Sequence, residues 1–131
     1  MEAATRPGAR PVRVLIADDE PPFVKVVEAL LAGDDRIEVV GTARNGQEAV
    51  ELALSLAPHV ILMDISMPFL DGIEASREIR TKLPNVRILI LTGSSISTEV
   101  DRSRQAGAAG FMTKDRIATQ LVERILDLGS G

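Results

Sequence analysis

Read for hydrophobic and polar positions, the chain changes periodicity again and again between Val12 and Leu128. Val12 to Ala17 is apolar except for Arg13, and its length and β-branched content predict a strand. Val60 to Met63 and Arg87 to Leu91 have the same character; continuous apolar runs of this length are the pattern of strands buried on both faces of a sheet. Ile37 to Ala43 and Ala108 to Thr113 predict two more. Between the strands the period lengthens. Phe23, Val26, Val27, Leu30 and Leu31 recur at helical spacing. Pro21-Pro22 can open that helix, since a first turn needs no intrahelical donors, and Gly33 can close it. Asn45-Gly46 breaks the second strand, and Gln47 to Leu56 predicts a helix with Ala49, Val50, Ala53 and Leu54 on one face. Ile73 to Leu83 is helical up to Pro84. Ser97 or Thr98 can cap a short, mostly polar helix through Val100 to about Ala106, ended by Gly107; such weak amphipathicity marks loose docking or a surface used by something else. Ile117, Leu121, Val122, Ile125, Leu126 and Leu128 make a last amphipathic helix.

Five alternations of strand and helix with short connections predict one α/β domain, a parallel sheet with helices on both faces. The length, 131 residues, suits one domain with a substantial core. Residues 1–11 read as a disordered leader, 12–128 as the domain and 129–131 as a tail. The absence of Cys excludes a disulfide framework and thiol chemistry. No apolar run approaches a membrane span and no signal-like segment opens the chain, so the expected location is cytoplasmic. A net charge of -4 and aromatics limited to three Phe argue against an electrostatic or stacking grip on nucleic acid.

In a parallel sheet the strand ends share one edge, where ligands of open α/β sheets bind. Here those ends carry different polar groups: Asp18 and Asp19 after the first strand, Asp64 after the third, Thr92 after the fourth and Lys114 after the fifth. Singly, each has a plainer explanation. An aspartate can cap the first helix, Thr92 suits a strand, and most lysines are exposed. Together they describe chemistry. Converging carboxylates repel one another unless a hard divalent cation such as Mg²⁺ sits among them, while Lys114 and the Thr92 hydroxyl supply the charge and donor that a phosphoryl oxygen needs. The combination suggests phosphoryl transfer onto Asp64. His59, the sole His, begins a strand and reads as a surface residue.

The segments Leu15-Ile16-Ala17-Asp18-Asp19-Glu20, Leu62 to Pro68 with Asp71-Gly72, Leu91-Thr92-Gly93 and Gly107 to Lys114 resemble the receiver domains of two-component response regulators. As an ordered set they span the chain from Val12 to Leu128. The resemblance implies a flavodoxin-like (βα)5 three-layer sandwich with sheet order 2-1-3-4-5 and a site between strands one and three. It makes Asp64 the phosphoacceptor and Asp19 a direct Mg²⁺ ligand. Asp18 would act on the metal through water, with the Ser66 backbone carbonyl as a further ligand. Thr92 and Lys114 would contact the phosphoryl group, Phe111 would be the switch aromatic, and Gly93 would leave the site open. Asp115 stands where many receivers have a proline that follows the lysine, often across a cis bond. Lys114-Asp115 resembles instead the NarL/LuxR-like subfamily, which carries a C-terminal DNA-binding output domain that is absent from these residues.

The expected function is therefore a switch, not a turnover enzyme, phosphorylated by a sensor histidine kinase and controlling transcription through an output domain. Phosphorylation-dependent homodimerisation is a possible consequence, and a stand-alone receiver acting through protein binding is the alternative. A haloacid-dehalogenase-type phosphatase shares the aspartate and Mg²⁺, but Ser66 occupies the place of its acid/base Asp. A flavodoxin-like carrier needs a phosphate loop where Asp18-Asp19-Glu20 would repel it. A degenerate receiver would lack one of the acids or the lysine, and none is missing.

Overall fold

The computed structural model describes residues 10–67, 70–93 and 97–129, with side chains omitted for 97–99. Most of the expected leader, Pro68 and Phe69 of the loop after the third strand, Ser94, Ser95 and the end of the tail lie outside the described residues. So do the side chains of the candidate caps Ser97 and Thr98.

The elements alternate as β1 (Val12–Ala17), α1 (Pro21–Ala32), β2 (Ile37–Ala43), α2 (Gly46–Leu56), β3 (Val60–Asp64), α3 (Gly72–Lys82), β4 (Arg87–Thr92), α4 (Ser97–Gln105), β5 (Gly110–Thr113) and α5 (Ile117–Gly129). A single 3-10 turn, Lys114–Arg116, joins β5 to α5. The expected tail thus loses Gly129 to the last helix. The strands form one parallel sheet in the order β2-β1-β3-β4-β5.

Alternation along the strands splits the core in two. Leu15, Ala17, Ile61, Met63, Ile88 and Ile90 face one side and meet Ala49, Val50 and Ala53 of α2 and Ile73, Ala75 and Ile79 of α3. Val14, Ile16, Val60, Leu62, Leu89 and Leu91 face the other and meet Val27 and Leu31 of α1 and Leu121 and Ile125 of α5. Both faces of β1, β3 and β4 are therefore covered, which is why these strands read as apolar runs broken only by Arg13 and Arg87 near their starts. The edge strand β2, by contrast, exposes Glu38 and Thr42.

Two expected core positions are corrected. Val26 is 52% exposed and Leu54 43%. Each lies one residue, about 100° of helix, from the centre of its buried line, past the edge of the face that Val27 or Ala53 turns to the sheet. Among the described residues no helix is long and apolar enough to cross a membrane.

Candidate functional site

The register brings the polar strand ends together. Ala17 at the end of β1 pairs with both Ala43 and Met63, Asp64 pairs with Leu91, and Thr92 pairs with Thr113. The residues that follow each strand consequently share the carboxyl edge of the sheet.

Asp18 is 2% exposed and donates its N–H to the Ala43 carbonyl, prolonging the β1–β2 ladder. Its Oδ1 accepts the Glu20 N–H at 2.8 Å, and its Oδ2 lies 3.0 Å from Lys114 Nζ. Neither Asp18 nor Asp19 caps the first helix. Glu20 occupies the N-cap position without a side-chain cap hydrogen bond, and Pro21 opens the helix. Asp19 is exposed toward the cleft.

Asp64 is 5% exposed at the end of β3. Behind it the loop folds back tightly: Ile65 donates its N–H to the Leu91 carbonyl and accepts that of Gly72. A Cβ on Gly72 would lie 2.0 Å from the Asp64 carbonyl oxygen, so only glycine permits this approach. Asp71 then caps α3, its Oδ1 accepting the Glu74 N–H at 2.9 Å, and its Oδ2 lies 3.8 Å from Arg102 on α4.

Asp18, Asp19 and Asp64 each offer an oxygen within 4.8 Å of the others, a cluster of hard oxygen donors of the kind that suits a divalent cation. Lys114 closes the group from the turn after β5, with Nζ 3.0 Å from Glu20 Oε1 and 3.6 Å from Asp64 Oδ1. The same ammonium sits 4.3 Å from the centroid of the Phe23 ring, a cation–π contact. Ser66, Thr92 and Gly93 complete a cleft of about 340 Å³ against these acids.

Burial, followed by the neighbouring charge of Asp18, raises the Asp64 carboxyl to about 7, with Lys114 opposing the shift. Burial works against the Lys114 charge as well, yet hydrogen bonds to Asp18 and Glu20 and the charge of Asp64 outweigh it and raise its pKa above the usual lysine value. Without a cation the site is thus an electrostatically crowded cluster held by one ammonium.

Every expected site residue in the described segments lies at or beside this edge. Phe111 faces Ile90 across β4–β5, half-buried against the core, and borders hollows shared with Gly93 on one side and Val100 of α4 on the other. His59 lies at the opposite edge, where its Nδ1 accepts the Arg13 N–H at 2.9 Å. Sequence reasoning missed the partnership of Lys114 with Glu20 and Phe23. The acidic run Asp18-Asp19-Glu20 was a signal for Glu20; nothing singled out Phe23 beyond its helical spacing.

Comparison with known proteins agrees with this fold. The family model "Response regulator receiver domain" matches residues 14–126. The transcriptional regulatory protein LnrK of Bacillus subtilis is 36% identical over 120 residues, covering 92% of this chain and 54% of the relative. The chain spans about half the length of the curated relatives it matches. A solved signal receiver domain of NarL from Mycobacterium tuberculosis superposes with a TM-score of 0.88 at 36% identity, covering 93% of this chain and 98% of that one. A solved chain of the CheX-CheY-BeF3-Mg²⁺ complex from Borrelia burgdorferi gives 0.84 at 25% identity, with coverage of 91% and 90%. The relatives are response regulators of the NarL/LuxR-like kind that Lys114-Asp115 resembles.

Proposed function

The chain belongs to the response-regulator receiver family, and from that premise we propose that it is a phosphorylation-dependent switch whose phosphoacceptor is Asp64. The observation that carries this reading is the convergence of Asp18, Asp19 and Asp64 within 4.8 Å, with Lys114 Nζ 3.6 Å from Asp64 Oδ1.

A carboxylate oxygen of Asp64 attacks phosphorus, the bond from phosphorus to the leaving group breaks, and the leaving group keeps the bonding pair. The all-oxygen donor set and its excess negative charge fit Mg²⁺. Asp19 and Asp64 would hold it directly, Asp18 through water, and the Ser66 carbonyl would add a fourth protein contact. Exposure of Asp19 in the cleft, against the burial of Asp18, whose Oδ1 accepts the Glu20 N–H and whose Oδ2 is ion-paired with Lys114, supports that division. When bound, the ion neutralises charge on the transferring phosphoryl group. Lys114 and the Thr92 hydroxyl bind the phosphoryl oxygens. Movement of Thr92 toward that group opens space for Phe111 and reshapes the face made by α4, β5 and α5, a population shift between two packings.

The donor would be a sensor histidine kinase. The relatives are named as transcriptional regulators and are about twice as long, which supports control of a DNA-binding output domain; a net charge of -4 gives these 131 residues little electrostatic grip on DNA. A stand-alone receiver acting through protein binding is the alternative. The expected location is the cytoplasm.

A time course with a small phosphodonor and Mg²⁺ tests the reading. A receiver accumulates up to one phosphoryl group per chain and loses it slowly. Continuous release of phosphate with no labelled protein would identify a phosphatase, and no reaction would leave a binding module only.

A further inference from the structure

Lys114 is the cation that must greet an incoming phosphoryl group, yet in the resting protein its ammonium is already engaged. Asp18 Oδ2 and Glu20 Oε1 each lie 3.0 Å away, closer than Asp64 at 3.6 Å. Asp18 belongs to the acidic triad; Glu20 does not, and its side chain is 64% exposed at the mouth of the cleft. Its carboxylate therefore faces whatever enters. The charge balance follows directly. Asp18, Glu20 and Asp64 surround one ammonium and Asp19 adds a fourth carboxylate to the cluster, so a single bound divalent cation still leaves the described cleft with a net negative charge. Replacing the Glu20 charge by a neutral group brings that balance to zero.

We propose that Glu20 is a specificity-determining residue that sets the site against small, doubly charged phosphodonors, by holding Lys114 and by presenting a negative charge at the cleft mouth. The inference rests on the receiver reading above. A small dianionic donor must displace the Glu20–Lys114 pair and approach its carboxylate. A donor with less charge meets less repulsion, as does one carried on a protein surface that brings compensating positive charge.

The test compares rates of phosphorylation in Mg²⁺ by acetyl phosphate, a dianion, and phosphoramidate, a monoanion, for the wild type, Glu20→Gln, Glu20→Ala and Glu20→Asp. In each reaction Asp64 gains the phosphoryl group as acetate or ammonia leaves with the bonding pair. Removal of the charge should raise the rate with acetyl phosphate about three- to tenfold and the rate with phosphoramidate no more than about twofold. The gain should shrink as salt is raised, a dependence that a purely structural role would not produce. Glu20→Asp, which keeps the charge, should keep the wild-type donor preference. Equal rates for wild type and the neutral variants with both donors, or a loss of rate in them, would overturn the role of Glu20 and leave the receiver reading standing. No labelling of any of the four proteins would overturn the receiver reading and this inference with it.

Discussion

Asp64 is asked to be buried and charged at once. Its 5% exposure removes it from water, Asp18 adds a like charge, and Lys114 only partly compensates. With its carboxyl raised from the ordinary aspartate value of 3.8 to about 7, this group holds its proton in the metal-free folded protein over a range in which the unfolded chain has released it. The contribution of this group to metal-free stability is therefore largest below about pH 4, falls as the pH rises toward 7, and is flat above that. Asp64→Asn removes the titrating group. Urea melts in chelator across that range should show the slope in the wild type and a flatter profile in the variant, while the variant takes up no phosphoryl group. Parallel profiles would place the burial penalty on another group.

Among the elements, the loops that carry the site are set by close backbone approaches. A Cβ at position 46, the first residue of α2, would lie 1.7 Å from the Leu70 carbonyl oxygen, so this helix start and the loop leading to α3 touch backbone to backbone. At Gly93, in the cleft, a Cβ would meet nothing within 4 Å. Gly46→Ala should thus destabilise the fold by about 1–3 kcal/mol or more, and Gly93→Ala should stay within about 0.5 kcal/mol while narrowing the cleft, as equilibrium unfolding of both variants would show. Equal effects would contradict this account of the loops. The elements themselves were legible because a strand covered on both faces has to be apolar throughout, as Val60 to Met63 is. The helix phases were less so. A stripe containing both Val26 and Val27 does not say which of them faces the sheet, and Val26 proved exposed. The acids, Thr92 and Lys114 were legible because each follows an apolar run. The Lys114–Glu20 pair was not, because it joins residues 94 positions apart through side-chain reach, which no periodicity encodes.

For the whole molecule, the proposed metal site would link folding to Mg²⁺. Mg²⁺ that binds only the folded chain adds roughly 1.4 kcal/mol at ten times its dissociation constant, which in a domain of this size raises the melting temperature by about 3–6 °C. Asp19→Asn should lose most of that response and, by relieving repulsion, be at least as stable as the wild type in chelator. Equal metal responses in the two proteins would remove Asp19 from the metal site. The switch itself depends on where the phosphoryl group settles. An acyl phosphate is reduced by borohydride to an alcohol, which converts a phosphorylated aspartate to homoserine and marks its position permanently. Peptide mapping after treatment with donor, Mg²⁺ and borohydride should find homoserine at residue 64 and nowhere else, and none without donor. Homoserine at position 18 or 19, or phosphate that survives reduction on a hydroxyl side chain, would contradict the assignment of Asp64 as the phosphoacceptor.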